Sequence, residues 1–294
     1  MKALVILNPV AGHVDPDALR DALRRHFGAA GIAYEIHETQ PGDLPGGIVR
    51  DRLGQGFDLM VAAGGDGTIS AMLDGLAGRP VPLGIIPVGT GNLVARELGI
   101  PIDIDQAVAL IAGAHDCRRI DAMRIGARVY VLNVSVGVSA AVAGDMTHQD
   151  KGRFGRLAYV GSAIFRILQF RRRYLTVTVD GQARPCRAVE VTVLNCAIFG
   201  RGLYPKEPVI RVDDGCLDIW IVSMRALIDY LKYFFRILTG RAAPRMARHF
   251  TARTRIAIHG ARPCQVQADG DIIGTTPVEI EVLPRTLTVI VPAQ

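Results

Sequence analysis

The sequence predicts an α/β domain built on a parallel sheet, followed by a mainly antiparallel β domain of the sandwich type. Three observations carry that reading. Up to about Arg124, short apolar runs alternate with segments of helical periodicity, the pattern of strands joined by covering helices. Beyond it the hydrophobic period drops to two and Asp-Gly turns appear, as antiparallel strands require. Charge divides the chain as well: between Asp150 and Arg255 stand 20 basic and 8 acidic residues, a balance of +12 in a chain that totals +6. The expected domains are residues 1–124 and 125–284, with the last segment, about 285–294, returning to the first.

In the first domain, residues 3–8 read as a buried strand ending at Pro9. Residues 15–27 have helical spacing through Ala18, Leu19, Ala22, Leu23 and His26, with Asp15 as cap and Pro16 at the first helical position. Strands follow at 33–38, 59–63 and 83–87, and helices at 68–76, 92–98 and 105–112. In the second domain the period-two runs are 128–135, 175–180, 188–195, 217–222, 254–258, 265–268, 278–283 and 286–291. Asp180-Gly181 and Asp214-Gly215 mark turns. Two basic amphipathic helices, 156–170 and 225–238, interrupt the β region.

Composition excludes several classes. Apolar residues at 49% and charged residues at 21% describe a globular chain, not a disordered or fibrous one. No uncharged apolar run reaches the about 18 residues of a membrane span; the longest, 129–144, is broken by Asn133, two serines and two glycines. The N-terminal run is too short for a signal peptide. Five scattered cysteines without a CxxC pair suit a reducing compartment, so the expected location is the cytoplasm.

The chemistry starts at Gly64-Gly65-Asp66-Gly67-Thr68, which follows an apolar strand and opens a helix. Glycines there let the backbone approach a bulky anion, and the N–H groups of the helix start favour phosphate. A carboxylate beside phosphates calls for a cation between them, so Asp66 points to Mg²⁺. An ordinary strand-to-helix turn capped by Asp66 fits the same residues, and the pattern alone leaves both open. A second turn of this form, Gly89-Thr90-Gly91-Asn92, begins 25 residues after Gly64. Thr90 and Asn92 can hydrogen-bond phosphate or adenine, or Asn92 can simply cap its helix. Asn8 and Thr39 end two further strands. In a parallel sheet such ends converge on one edge, which makes a nucleotide cleft. Walker, protein-kinase and dinucleotide fingerprints are absent.

NPxAG, GGDGT and GTGN, in this order and near these spacings, resemble the diacylglycerol kinase catalytic family, closest to its bacterial soluble lipid kinases and related to sphingosine and ceramide kinases. The resemblance runs over essentially the whole chain. It implies ATP binding by Gly64, Gly65, Asp66, Gly67, Thr68, Ile69 and Ser70, with Thr39 and Thr90 as further contacts. Ala268-Asp269-Gly270-Asp271 resembles the family's acidic turn, whose last residue accepts the lipid hydroxyl proton; here that is Asp271, with Asp269 beside it. The residues alone read equally as a plain Asp-Gly hairpin. Asp213-Asp214-Gly215-Cys216 resembles a structural Mg²⁺ loop, implying the Asp214 side chain and the carbonyls of Arg211 and Cys216 as ligands; a simple turn fits too. The chain departs from the family at Leu93, where many relatives carry Asp, which removes one carboxylate from the cleft.

A kinase acting on a lipid must reach a membrane surface. The 225–238 segment carries Leu227, Tyr230, Leu231, Phe234, Phe235 and Leu238 on one stripe, flanked by Arg225, Lys232 and Arg236. The 156–170 segment runs into Arg171-Arg172-Arg173. Such segments can lie on an anionic membrane or pack on the β core. The expectation is an ATP- and Mg²⁺-dependent kinase of a lipid alcohol such as diacylglycerol, peripherally attached to membrane, with Asp66, Asp269 and Asp271 as catalytic candidates. A second copy of the chain is a further expected partner; nucleic acid is not. The alternatives are a kinase of a soluble alcohol of the NAD kinase kind, and a non-enzymatic nucleotide- or lipid-binding regulator.

Overall fold

The computed structural model describes residues 1–12, 15–144, 172–200, 209–224, 229 and 247–293. The chain divides into two compact units. The first holds Met1–Ala122, Arg128–Val131 and Leu283–Gln294, and the second Met123–Ala127 and Leu132–Val282. Both expected amphipathic helices, 156–170 and 225–238, fall outside the described residues apart from Asp229.

In the first unit the order is β1 (Lys2–Leu7), α1 (Pro16–Ala29), β2 (Ala33–Glu38), α2 (Pro45–Arg52), β3 (Leu59–Gly64), α3 (Asp66–Leu76), β4 (Leu83–Pro87), α4 (Leu93–Glu97) and α5 (Ile104–Ala112). β5 (His115–Ile125) and the short β6 (Arg128–Tyr130) follow. Strands β2, β1, β3 and β4 are parallel and adjacent in that order. β3 and β4 are wholly buried, as covered central strands must be. α1 begins as its sequence signals: the Asp15 carboxylate accepts from the amides of Asp17 and Ala18 at 3.0 and 3.1 Å, ahead of Pro16. Leu19, Ala22, Leu23 and Phe27 form its buried stripe.

α2 has no helical signal in its sequence, because Pro45-Gly46-Gly47 reads as a breaker. The proline occupies the first helical turn, and the glycine permits contact with α3. A Cβ on Gly46 would lie 2.3 Å from the Ala71 carbonyl oxygen, and one on Gly75 2.6 Å from that of Gly46.

The second unit continues with β7 (Asn133–Gly137), α6 (Val138–Gly144), β8 (Arg173–Val179), β9 (Gln182–Ala188), β10 (Glu190–Leu194), β11 (Leu217–Val222), β12 (Ala247–Ala252), β13 (Arg255–Gly260), β14 (Gln265–Ala268), β15 (Asp271–Thr275) and β16 (Val278–Pro292). One antiparallel sheet runs β12, β11, β10, β7, β14, β15. In the other, β13 lies between β8 and the first half of β16, and β9 pairs β8. The second half of β16 belongs to the first unit and pairs β4 at Val289–Leu83. Every residue of β7, β10 and β11 is buried, so both faces of the sheet are covered along these three strands.

Four expected strands take a different form. The 128–135 run splits at Val131–Leu132, where the chain passes from the first unit to the second. The 188–195 run splits at Val189, whose amide donates to the Val222 carbonyl. The runs at 278–283 and 286–291 are one strand. Left-handed Arg285 (φ 47°) bridges them, and its amide donates at 2.7 Å to the fully buried Asp121.

Candidate functional site

The four parallel strands end level. Leu7 pairs with Glu38 on one side and Ala63 on the other, and Gly64 pairs with Pro87. The ladder extends one residue past each end. The Asn8 amide donates to Ala63, that of Thr39 to Leu7, and that of Val88 to Gly64, at 2.9, 2.8 and 3.2 Å. Asn8, Thr39, the Gly64–Gly65 turn and the Gly89 loop therefore share one edge of the sheet, the carboxyl edge where α/β folds bind ligands.

At this edge the backbones touch. A Cβ on Gly89 would lie 2.5 Å from the Cα of Gly65, and one on Gly12 (φ 59°) 2.1 Å from the Val88 carbonyl oxygen. Thr68 folds over Gly64, where a Cβ would lie 2.5 Å from that of Thr68. Asn8 Nδ2 donates to Thr68 Oγ1 at 3.2 Å, and Asn8 Oδ1 accepts from Val10 N–H at 3.2 Å. Gly12, Gly89 and Gly91 thus matter as much as the glycines of GGDGT; their signal in the sequence was the glycine itself, without a partner.

Asp66 works differently from the expected metal ligand. Its Oδ1 accepts from the Leu93 amide at 2.6 Å, and a Cβ on Gly91 would lie 2.8 Å from its Oδ2. The carboxylate ties the first loop to the second. The Leu93 side chain is immaterial to this bond, since the donor is main chain. One Asp66 oxygen remains for a cation; Mg²⁺ at nucleotides takes one or two protein carboxylates, with phosphates and water completing its shell. Asp66 fits that set in part.

Two of the expected nucleotide contacts, Ile69 and Asn92, turn their side chains inward. Ile69 is fully buried, and its amide donates to Gly65 within the helix. It lies on the i, i+3, i+4, i+7 stripe with Met72, Leu73 and Leu76, so it faces the core. The buried Asn92 neither caps α4 through its side chain nor reaches outward. Its Oδ1 accepts from the Gly89 amide at 2.9 Å and its Nδ2 donates to the Gly89 carbonyl at 2.8 Å, closing the loop around a left-handed φ of 51°. Thr90 and Gly67 are exposed, Thr39 and Ser70 half-buried. A Cβ on Gly67 would meet nothing within 4 Å. α3 carries no side-chain cap, so its first-turn N–H groups are not capped by a side chain and face this open space.

In the second unit Asp269 and Gly270, with φ of 48° and 100°, form the two-residue turn between β14 and β15. The Asp269 Oδ1 accepts from the amides of Leu132 and Asn133 at 2.9 and 3.0 Å, which fixes the turn against the start of β7. Asp271 is exposed and forms no hydrogen bond or ion pair among the described residues. In the Asp214 loop, Asp214 Oδ1 accepts from the Cys216 amide at 3.0 Å, Gly215 has φ 75°, and Arg211 lies 3.5 Å from Asp213. Its donors, carboxylate and main-chain carbonyls, are hard oxygens of the kind Mg²⁺ takes. Among the described residues no three His, Cys, Asp or Glu side chains form a metal cluster, and no helix is long and apolar enough to cross a membrane.

Residues 2–125 match the diacylglycerol kinase catalytic domain, and residues 132–291 the YegS C-terminal NAD kinase beta sandwich-like domain. The chain belongs to the diacylglycerol kinase catalytic family. Diacylglycerol kinase of Bacillus subtilis is 27% identical over 299 residues, covering 100% of this chain and 97% of that one. Diacylglycerol kinase of Mycobacterium tuberculosis H37Rv is 28% identical over 302 residues, covering 99% and 95%. The crystal structure of a candidate diacylglycerol kinase from Bacillus anthracis superposes with a TM-score of 0.80 at 26% identity, covering 99% of this chain and 96% of that one. The family fold is the one described above, a parallel-sheet domain followed by a β-sandwich domain. Membership makes the chain a kinase-family protein.

Proposed function

We propose that this protein transfers the γ-phosphate of ATP to the hydroxyl of a lipid alcohol of the diacylglycerol class. The observation that carries the reading is the glycine-lined edge. Two loops meet at Gly65 and Gly89, the Asp66–Leu93 bond ties them together, and an uncapped helix start opens beside the exposed Gly67. A triphosphate needs such an edge: close backbone approach, N–H donors and a helix start of favourable dipole. Thr39, Ser70 and Thr90 stand at the rim as further hydrogen-bonding contacts.

In this reading Asp271 holds the acceptor hydroxyl and takes its proton as the oxygen attacks the γ-phosphorus, whose bond to the bridging oxygen breaks and releases ADP. Such a positioned base contributes about 10²–10⁴-fold. Asp269 acts through Asp271 by fixing the turn. Mg²⁺, held by the remaining Asp66 oxygen with the phosphates, would offset negative charge on the transferred group. A second Mg²⁺ on the Asp214 loop, with the Arg211 and Cys216 carbonyls, would brace that turn. The arginine-rich second half supports attachment to an anionic membrane surface, where the acceptor resides. The expected place of action is the cytoplasmic membrane face, with a second copy of the chain as partner.

The test is a panel of acceptors with radiolabelled ATP: diacylglycerol, monoacylglycerol and a long-chain amino alcohol in mixed micelles, and NAD in solution. Label in the acylglycerol product supports the reading. Label in NAD alone, or ATP binding with no labelled product, contradicts it.

A further inference from the structure

The sheet of β7, β10, β11 and β14 carries a row of buried polar side chains, and three of them, Asn133, Ser135 and Gln267, hold polar atoms without a hydrogen-bond partner. Register defines the row. Trp220 pairs with Thr192, Thr192 with Ser135, and Ser135 with Gln267. In-register residues of adjacent strands share a face, with Cβ atoms about 4.5–5.5 Å apart. Asn133, two residues before Ser135, lies on that face too. Asn133 and Ser135 are 0% exposed, Thr192 1%, and Gln267 and Trp220 3%. Both polar atoms of the Asn133 amide, the Ser135 hydroxyl and the Gln267 carbonyl oxygen have no hydrogen-bond partner. Buried polar atoms in native proteins are satisfied in the large majority, so four orphans on one stretch of one face demand an account. Two of their residues flank the acidic turn: Gln267 lies four positions before Asp271, and Asn133 donates its amide to Asp269.

The chemistry restricts the occupant. The orphans are neutral, and they include donors and acceptors. No lysine or arginine stands on this face of β7, β10, β11 or β14. The two carboxylates there are engaged. Asp218 pairs with His249 Nε2 at 2.6 Å, and Glu190 accepts from the Ser139 amide and the Thr192 hydroxyl. Burial pushes the Glu190 carboxyl up to about 7 against the hydrogen bonds that would lower it. Among the described residues, a phosphorylated head would find no lysine or arginine on this face of these four strands, and an ammonium head would find both carboxylates of the face already engaged. Ester carbonyls would satisfy the Asn133 and Ser135 donors, and a hydroxyl the Gln267 acceptor.

We propose that Asn133, Ser135 and Gln267 bind the uncharged ester-bearing glycerol head of an acylglycerol and select it over amino-alcohol and phosphorylated lipids. The assignment rests on the lipid-kinase reading for the identity of its ligand as the acceptor, but binding can be measured without turnover. Trp220, the chain's one tryptophan, lies in the same row and reports occupancy by its emission.

The experiment titrates dioctanoylglycerol into the full chain, without ATP, for wild type, Ser135→Ala and Gln267→Met. A saturable change in Trp220 emission is expected for wild type. Affinity should fall at least tenfold in each variant, while the melting temperature stays level or rises, because a buried orphan has been removed. A long-chain amino alcohol and phosphatidate should bind at least tenfold more weakly than dioctanoylglycerol. Absence of a saturable change, wild-type affinity in both variants, or equal binding of the charged lipids would overturn the assignment. Should the variants lose binding while wild type moves no label from ATP, the kinase reading fails and this assignment stands. Should label reach acylglycerol with the same KM in all three proteins, the assignment fails and the kinase reading stands.

Discussion

Asp180-Gly181 and Asp269-Gly270 are the same turn in two places. Both link adjacent antiparallel strands, and both have two left-handed residues, with φ of 45° and 84° in one and 48° and 100° in the other. In both, the aspartate carboxylate accepts backbone amides from a distant segment: Arg253, Thr254 and Arg255 for Asp180, Leu132 and Asn133 for Asp269. What differs is the next residue. Gln182 follows the first turn, and the exposed Asp271 follows the second. In both turns the first aspartate ties the hairpin to a distant segment, and under the proposed function the chemistry falls to Asp271.

The largest effect should come from Asp271→Asn. Lipid phosphorylation is expected to fall at least about 100-fold with the melting temperature unchanged, measured by label transfer and calorimetry. Wild-type turnover in this variant would erase the distinction between the hairpins. Asp269→Asn should do both things at once. Replacing a charged acceptor of two amides by a neutral amide oxygen weakens both bonds and costs about 1 kcal/mol by chemical denaturation, and kcat drops by a smaller factor than in Asp271→Asn. A loss of kcat with full stability would instead make Asp269 a direct participant.

Asp180→Asn should leave turnover intact and cost about 1–2 kcal/mol, allowing for solvent screening at this exposed turn. Burial raises the Asp180 carboxyl, but hydrogen bonds from Arg253, Thr254 and Arg255 outweigh it and hold the group at about 2 against an ordinary 3.8. The folded value is depressed, so the contribution is present above about pH 4 and disappears as pH falls toward 2. Wild type and Asp180→Asn should therefore converge in stability near pH 2, and a constant difference across that range would contradict the assignment.

How far these roles could be read from the chain depends on whether the cause was local. Residues 59–63 and 83–87 announce themselves as strands because each is a continuous apolar run with turn signals at its ends. The inward direction of Ile69 was equally available, since helical spacing with Met72, Leu73 and Leu76 outweighs membership of a motif. α2 was hidden because Pro-Gly-Gly carries a loop's signature while serving helix start and helix contact. The Asp66–Leu93 bond and the Asn133–Ser135–Gln267 row were out of reach. Each depends on register between segments 27 or more residues apart, which no local pattern encodes.

Whether the glycine edge holds a triphosphate can be read at Gly67. A methyl there meets no atom of the protein, and alanine suits a helix better than glycine, so Gly67→Ala should fold with equal or greater stability. Equilibrium titration with ATP is predicted to show binding by wild type and at least tenfold weaker binding by Gly67→Ala, because the added methyl intrudes on the phosphate. Equal ATP affinity in the two proteins would contradict the claim.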